Sequence, residues 1–421
     1  MGDENPRISV LLGAGASADA GIPTTMEMTD AVIGELADRE HRRVLKFIRY
    51  TIAAHLAQRR PDEWARDEPS VAVDVERLFA AVDLLVDRDQ QPWSPFVGTW
   101  RSGLESFAPE PSIREFDLGV ALRDVDRALI AAMSDTARRG SVSSMTSRIL
   151  ERPLFELLER AFKVVRPSDV SVLLADVRDE MLRSLFSVVR IADSTRVSYL
   201  SPLVELARKQ GSLTIASLNY DRVIETLAEL TDVRCDTAIE SWSTQGELEW
   251  SESSLLRLLK LHGSIDWVAD RHEPTTAGQL PLLRIRKIKS EDERAWHERP
   301  AVVFGEAGKL RAEGPFLELL LRWSAELRRA DTLLVVGYSF RDAHVNEMIA
   351  RWFTSEETRR IVLVDLADVA SAEHPSLAWY LCQADNRAGR TDAPPVGRFQ
   401  HVRGSTREVL VQGIQAAREL G

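Results

Sequence analysis

An apolar stretch from Arg7 to Leu12 (RISVLL) runs without a break into Gly13-Ala14-Gly15-Ala16-Ser17-Ala18-Asp19-Ala20-Gly21. The first part reads as a buried strand. The run of small residues after it reads as a tight strand-to-helix turn that another group must approach closely. Gly13, Gly15 and Ala18 fit the G-x-G-x-x-[GA] spacing of a dinucleotide-binding turn, in which backbone N–H groups and a helix start can reach a pyrophosphate. The same spacing suits a purely structural turn. A plain NAD dehydrogenase also needs a second strand ending in Asp or Glu about 20 residues on. Here Val32 to Asp38 continues a helix instead, so the first crossover is not a simple βαβ unit.

From about Thr25 to Gln210 the periodicity is mostly helical. Val75, Leu78, Phe79, Val82 and Val86 share one helix face, Leu154, Leu157, Leu158, Ala161 and Phe162 another, and Val170 to Val189 a longer one. Arg88 to Ser112 and Arg138 to Ser144 read as connections between helices. After Gly211 strand and helix signals alternate. Strands are expected at Leu213–Ser217, Leu255–Leu261, Ala301–Phe304, Thr332–Val336 and Ile361–Val364. Helices are expected at Asp221–Leu230, Phe316–Arg329, Asp342–Phe353 and Thr406–Leu420, the last with a capping box of Ser405 and Glu408. Such alternation predicts an α/β fold: a Rossmann-like parallel sheet with helices on both faces. Its first strand lies at the amino end and the rest follow residue 210. The expected division is therefore 1–30 with 211–421 as one α/β domain, and 31–210 as an all-helical insertion.

Polar groups gather at the predicted strand ends, where open parallel sheets bind ligands. Ser217-Leu218-Asn219-Tyr220-Asp221 follows one strand and Leu261-His262-Gly263-Ser264 another. A second glycine turn, Gly337-Tyr338-Ser339-Phe340-Arg341-Asp342, leads into a helix, with Ser339 and Asp342 spaced as N-cap and N3. The next strand ends at Asp365, placed either to accept from ribose hydroxyls or as a solvated loop acid. Among the chain's 8 histidines, His262 stands out by lying at a strand end before a glycine. His344 falls in the first turn of the helix after the second glycine turn.

Composition narrows the functions. The net charge of −11 repels nucleic acid, and the basic cluster Arg284 to Lys289 reads as a solvated loop or strand edge. Only Cys235 and Cys382 are present, too far apart for a disulfide framework or a four-cysteine zinc ribbon. No apolar run approaches the roughly 20 residues of a membrane helix, so the expectation is a cytoplasmic protein with no membrane or direct nucleic-acid contact.

Together, GAGASADAGIP (13–23), NYD (219–221), KLHGS (260–264) and GYSFRDAHVN (337–346) resemble the sirtuin-like family, and its bacterial NAD-consuming defence branch more than its protein deacylases. The resemblance implies NAD as substrate and no metal. It implies that Asn219 positions the nicotinamide-side ribose or a water, that Asp221 holds the carboxamide, and that His262 acts as general base. Gly13, Ala14, Gly15, Ala16, Ser17, Gly21, Pro23, Gly263, Ser264, Gly337, Tyr338, Ser339, Asp342 and Asp365 would bind the dinucleotide, the glycine loop and the helix at Ser339 carrying the phosphates. Deacylases of the family continue the glycine loop with Phe and Arg; here Thr24 and Thr25 follow Pro23. They also carry a four-cysteine zinc module, whereas Ala269 to Pro300 is short, charged and loop-like. The resemblance thus favours an NAD glycohydrolase of antiphage defence, homo-oligomeric and gated by assembly or by a HerA-type ATPase partner. A deacylase or ADP-ribosyltransferase, and a non-catalytic NAD or ADP-ribose sensor, are the alternatives.

Overall fold

The computed structural model describes residues 6–58, 73–87, 167–272, 282–288, 299–304, 314–367, 377–381 and 397–419. Apolar runs bounded by turn residues become strands wherever they are buried on both faces. Ile8–Leu12 (β1), Leu213–Ser217 (β2) and Thr332–Val336 (β8) are buried at every position. With Cys235–Asp236 (β3), Leu256–Lys260 (β4), Arg360–Asp365 (β9) and Phe399–Arg403 (β10) they form a seven-stranded sheet, ordered β10-β9-β8-β1-β2-β4-β3. Every pairing in it is parallel. The expected α/β sheet is therefore present. β1 is its centre: the chain moves outward to β2, β4 and β3 on one side and returns to lay β8, β9 and β10 on the other. That reversal puts a crevice beyond the carboxyl end of β1.

Between β1 and β2 the regular elements among the described residues are all helices. They comprise Gly15–Ala18 (α1), Thr25–Glu35 (α2), Arg39–Gln58 (α3), Val75–Asp87 (α4), Pro167–Val188 (α5), a 3-10 turn at Ser194–Leu200 and Ser201–Gln210 (α6). α6 stops at Gly211, whose φ of 80° supplies the left-handed residue that ends many helices. Later helices are Val223–Leu230 (α7), Ile239–Gln245 (α8), Phe316–Arg328 (α9), Ala343–Ser355 (α10) and Thr406–Glu419 (α11). α9 turns Phe316, Leu319, Leu320, Trp323 and Leu327 inward, one amphipathic stripe packed into the core with Trp352 and Phe353 of α10. α11 opens with Glu408 accepting from the Ser405 N–H, half of the expected capping box.

Contacts divide the chain into two compact units. One takes in Met1–Glu35, Leu56–Ala80 and Met181–Gly421; the other takes in Leu36–His55 and Ala81–Glu180. In the second, the buried Glu180 carboxylate accepts from the Ala37 and Asp38 N–H groups and pairs with His41 Nδ1.

One segment departs from the sequence reading. Ala269 to Pro300 is not simply loop. Gly263–His272 (β5), Leu282–Lys287 (β6) and Arg299–Val302 (β7) form a small antiparallel sheet, ordered β6-β5-β7. The charges concealed a period of two: half-buried Leu283 and buried Ile285 alternate with exposed Arg284 and Arg286. Arg284 to Lys287 of the basic cluster thus lie on an outer strand of this sheet. The helix expected around Leu154 to Phe162, the two connections 88–112 and 138–144, and Cys382 lie outside the described residues.

Candidate active site

The strand ends are laced together in order. Leu218 N–H donates to Leu12 O, and Leu261 N–H to Ser217 O, so the residues after β1, β2 and β4 emerge side by side. Asn219 and His262 therefore leave neighbouring strands at the same edge. Asn219 is 8 % exposed, and its side-chain Nδ2 donates to Gly13 O (2.9 Å) and Ser17 Oγ (3.0 Å). Because a carbonyl can only accept, the amide orientation is set by its partner. Asn219 fastens the first glycine turn with its nitrogen.

The glycines have a use inside the protein. Gly13 N–H donates to Val336 O and Gly15 N–H to Gly337 O, both at 2.9 Å, while Gly337 N–H donates to Val364 O. A Cβ on Gly13 would lie 2.5 Å from Gly337 O, and one on Gly337, at φ 61°, would strike the backbone of Gly15 and Ala16. The two glycine turns thus interlock, and the N–H groups of Gly13 and Gly15 are occupied by protein carbonyls, not held open for phosphates. Thr406 Oγ1 donates to Gly15 O, and Tyr199 OH to Ala16 O, holding the same turn. Gly21, at φ 92°, lies against the Arg196 guanidinium, and Pro23 beyond it is half-buried.

His262 is 4 % exposed and its Nε2 lies 2.9 Å from Asp342 Oδ2. An ionised carboxylate only accepts, so Nε2 carries a proton, and in the neutral imidazole Nδ1 holds the lone pair. Nδ1 has no hydrogen-bond partner, although it is buried; Glu76 Oε1 stands 3.9 Å away. Asp342 also settles the helix start. It is the N-cap of α10, accepting from the His344 and Val345 N–H groups, so the cap lies three residues after the expected Ser339, while the helix itself starts one residue after the expected Asp342. Ser339 is exposed in the turn, and Tyr338 OH accepts from the Asp342 N–H and donates to Asn346 Oδ1. Gly263 sits at φ 85°, and a side chain there would also run into Ala301 O of β7; Ser264 beside it is fully buried.

Asp221 Oδ1 accepts from Val223 N–H, so this carboxylate starts α7, which begins two residues after the expected position. Asp221 shares a crevice with Leu12, Ser17, Asn219 and Lys260. The buried Lys260 ammonium donates to Asp221 O. Asp365 sits apart, across β8; burial raises its carboxyl above the usual range, against hydrogen bonds from Ala367 and Leu366 N–H and the charge of His401. Among the described residues, no group of three or more His, Cys, Asp or Glu could hold a metal ion, and no helix is long and apolar enough to cross a membrane.

Glu76, Tyr220, Tyr199 and Lys260 were not singled out as site residues from sequence. Tyr220 OH donates to Glu76 Oε1 and Val303 O, both at 3.1 Å. Phe79, three residues after Glu76 and on the same helix face, stacks on Phe304 at 4.0 Å and so anchors α4 here. Burial raises the Tyr220 hydroxyl well above its ordinary range, with Glu76 adding to the shift. The Tyr199 hydroxyl is raised by burial and by Asp221 and Asp19.

The parallel sheet, with polar residues beyond the ends of β1, β2, β4 and β8, defines a doubly wound type of α/β protein, in which ligands bind beyond the carboxyl ends of the strands. Residues 213–381 match the SIR2-like domain family, which places the Asn219, His262 and Asp342 segments inside a SIR2-like region. Solved structures similar to the chain include a Sir2 homolog–NAD complex, at 13% identity over 99% of this chain and 92% of that one, TM-score 0.40. A mutant Sir2 homologue bound to 2'-O-acetyl ADP ribose matches at 13% identity over 99% and 93%, TM-score 0.37. Sir2Af2 bound to a myristoylated histone peptide matches at 15% identity over 53% and 72%, TM-score 0.29. No curated protein matches the chain.

Proposed function

We propose that this chain hydrolyses the nicotinamide–ribose bond of NAD, with Asn219 and His262 at the reacting centre. The observation that carries the reading is the buried Nδ1 of His262, unpartnered while Asp342 holds the opposite ring nitrogen. A buried polar atom without a partner costs about 1–3 kcal/mol, a cost that makes sense where a substrate group completes it. Imidazole suits this work because it exchanges a proton near neutrality. The SIR2-like match, and the NAD and 2'-O-acetyl ADP ribose complexes of the similar structures, agree with a dinucleotide as ligand.

In the proposed reaction nicotinamide leaves with the electrons of the C–N bond, and the ribosyl cation is captured by water. That water loses its proton to His262 Nδ1, the products being ADP-ribose and nicotinamide. Asn219 Oδ1 orients the water or a ribose hydroxyl while its Nδ2 keeps the glycine turn in place. Asp221 faces the carboxamide, and the developing positive charge forms among fixed carboxylates and dipoles. We take residues 1–30 with 211–421 as the catalytic part and 31–210 as an inserted helical part, from which Glu76 and Tyr199 reach the site. An NADase must be restrained in the cell. We therefore place the protein in the cytoplasm as an antiphage effector, assembled as a homo-oligomer and released by a HerA-type ATPase.

The test measures NAD loss and nicotinamide release by wild type, Asn219→Ala and His262→Ala, alone and with the candidate ATPase, with and without an acylated peptide. Wild-type turnover independent of peptide, and lost in both variants, is expected. Peptide-dependent turnover would mean a deacylase, and binding without turnover in every condition a sensor.

A further inference from the structure

A second cavity lies at the far edge of the sheet, apart from the glycine turns. It encloses about 340 Å³ between α7, β3 and the start of β5, lined by Glu225, Cys235, Thr237 and Asp266 inside and by Arg222, Arg234 and Lys287 toward its rim. That volume falls in the range of about 300–1,000 Å³ common for small-molecule sites.

The polar groups of the interior are left incomplete. Thr237 is 2% exposed with its Oγ1 unpartnered, and Asp266 is 8% exposed with Oδ1 unpartnered. No other residue donates to the Glu225 carboxylate; its nearest cation, Lys260, stands at 4.0 Å. Burial raises the Glu225 carboxyl above its usual range, with Asp266 adding to the shift and Lys260 opposing it. The basic residues already have partners, Arg222 within the lining itself. Arg222 pairs with Asp266 Oδ2 and Glu229, Lys287 with Glu240, Arg234 donates to Ser253, and Lys260 donates to Asp221 O.

Every other lining atom without a partner is an oxygen; the exception, Arg222 Nε, already faces Asp266 Oδ2 at 3.2 Å. An anion would meet two carboxylates, and an apolar ligand would leave these oxygens unsatisfied. A metal ion lacks the donor set, since the described residues form no suitable group of three. What remains is an occupant rich in N–H donors and positively charged. We propose that this cavity binds a small organic cation, an ammonium or guanidinium compound whose N–H groups are taken up by Glu225, Asp266 and Thr237. Glu225 also borders the crevice that holds Asn219 and Asp221, so an occupant would sit one side chain from the candidate active site.

The experiment is calorimetric titration and thermal unfolding of the full chain with n-butylammonium and methylguanidinium chlorides, against sodium chloride and sodium sulfate at matched ionic strength. It reads binding only, so a failure of NAD cleavage leaves it intact. Saturable binding of one or both organic cations is expected, weakened about tenfold or more in Asp266→Asn and Thr237→Val, each of which removes one oxygen acceptor at little change in volume. No saturable response beyond that of sodium chloride, a preference for sulfate, or unchanged affinity in both variants would overturn the proposal.

Discussion

Asp342 does two jobs with its two carboxylate oxygens, and replacing it separates them. Oδ1 caps α10 and Oδ2 holds His262 Nε2 at 2.9 Å. Asp342→Asn keeps an acceptor for the cap, because Asn and Asp are comparable N-caps, but faces Nε2 with an amide instead of a carboxylate. A charge-assisted hydrogen bond contributes about 1.5–3 kcal/mol, which amounts to roughly ten- to a hundredfold in rate if it acts on the reacting state. An amide N–H turned to Nε2 also reverses the imidazole tautomer, so Nδ1 gains the proton and ceases to be a base. The expected loss in NAD cleavage is therefore at least about a hundredfold, for a change in folding stability near 1 kcal/mol. Asp342→Ala removes the cap as well and leaves Nε2 without an acceptor, costing about 2–4 kcal/mol of stability. Urea unfolding gives the stabilities, single-turnover NAD cleavage the rates, and the ¹⁵N shifts of His262 the tautomer. If Asp342→Asn cleaves NAD within about threefold of wild type, or wild-type His262 carries its proton on Nδ1, the reasoning about this pair is wrong.

Two further perturbations test the framework. Gly337→Ala places a methyl group against the Gly15 and Ala16 backbone at a φ of 61°, and strain plus overpacking should lower stability by about 2–5 kcal/mol in urea unfolding. For Glu180, burial opposes ionisation, yet hydrogen bonds from Asp38, His41 and Ala37 leave its carboxyl below the usual range. A depressed acid contributes stability above its unfolded value and loses it as pH falls through the folded one. Glu180→Gln should therefore unfold more easily than wild type at neutral pH, and the gap between their urea midpoints should close under acid.

The sheet was legible where local pattern and final burial agree. β1, β2, β8 and β9 are short apolar runs ended by Gly, Asn or Asp, and a strand buried on both faces needs little more than that. Of the antiparallel sheet, β7 overlaps the strand expected at Ala301–Phe304, but β5 and β6 were not legible. The alternation of β6 is carried by few apolar residues among charges, and β6 gains hydrogen-bond partners only from a strand about ten residues away. The cap of α10 was misplaced for a related reason. Ser339 and Asp342 both suit a cap, and the choice falls to Asp342, whose neighbours in space include His262.

Chain chemistry alone is enough to say where strands stop and which polar residues stand at their ends, because those features depend on neighbours a few positions away. Three-dimensional packing decides what the residues face. Asn219 reaches back 206 residues to bind Gly13, the two glycine turns close on each other, and Glu76 comes to stand beside His262 Nδ1. Such pairings follow from strand register and from which helix face lies against the core. Those depend on the summed burial of the whole sheet, a quantity that no window of sequence contains.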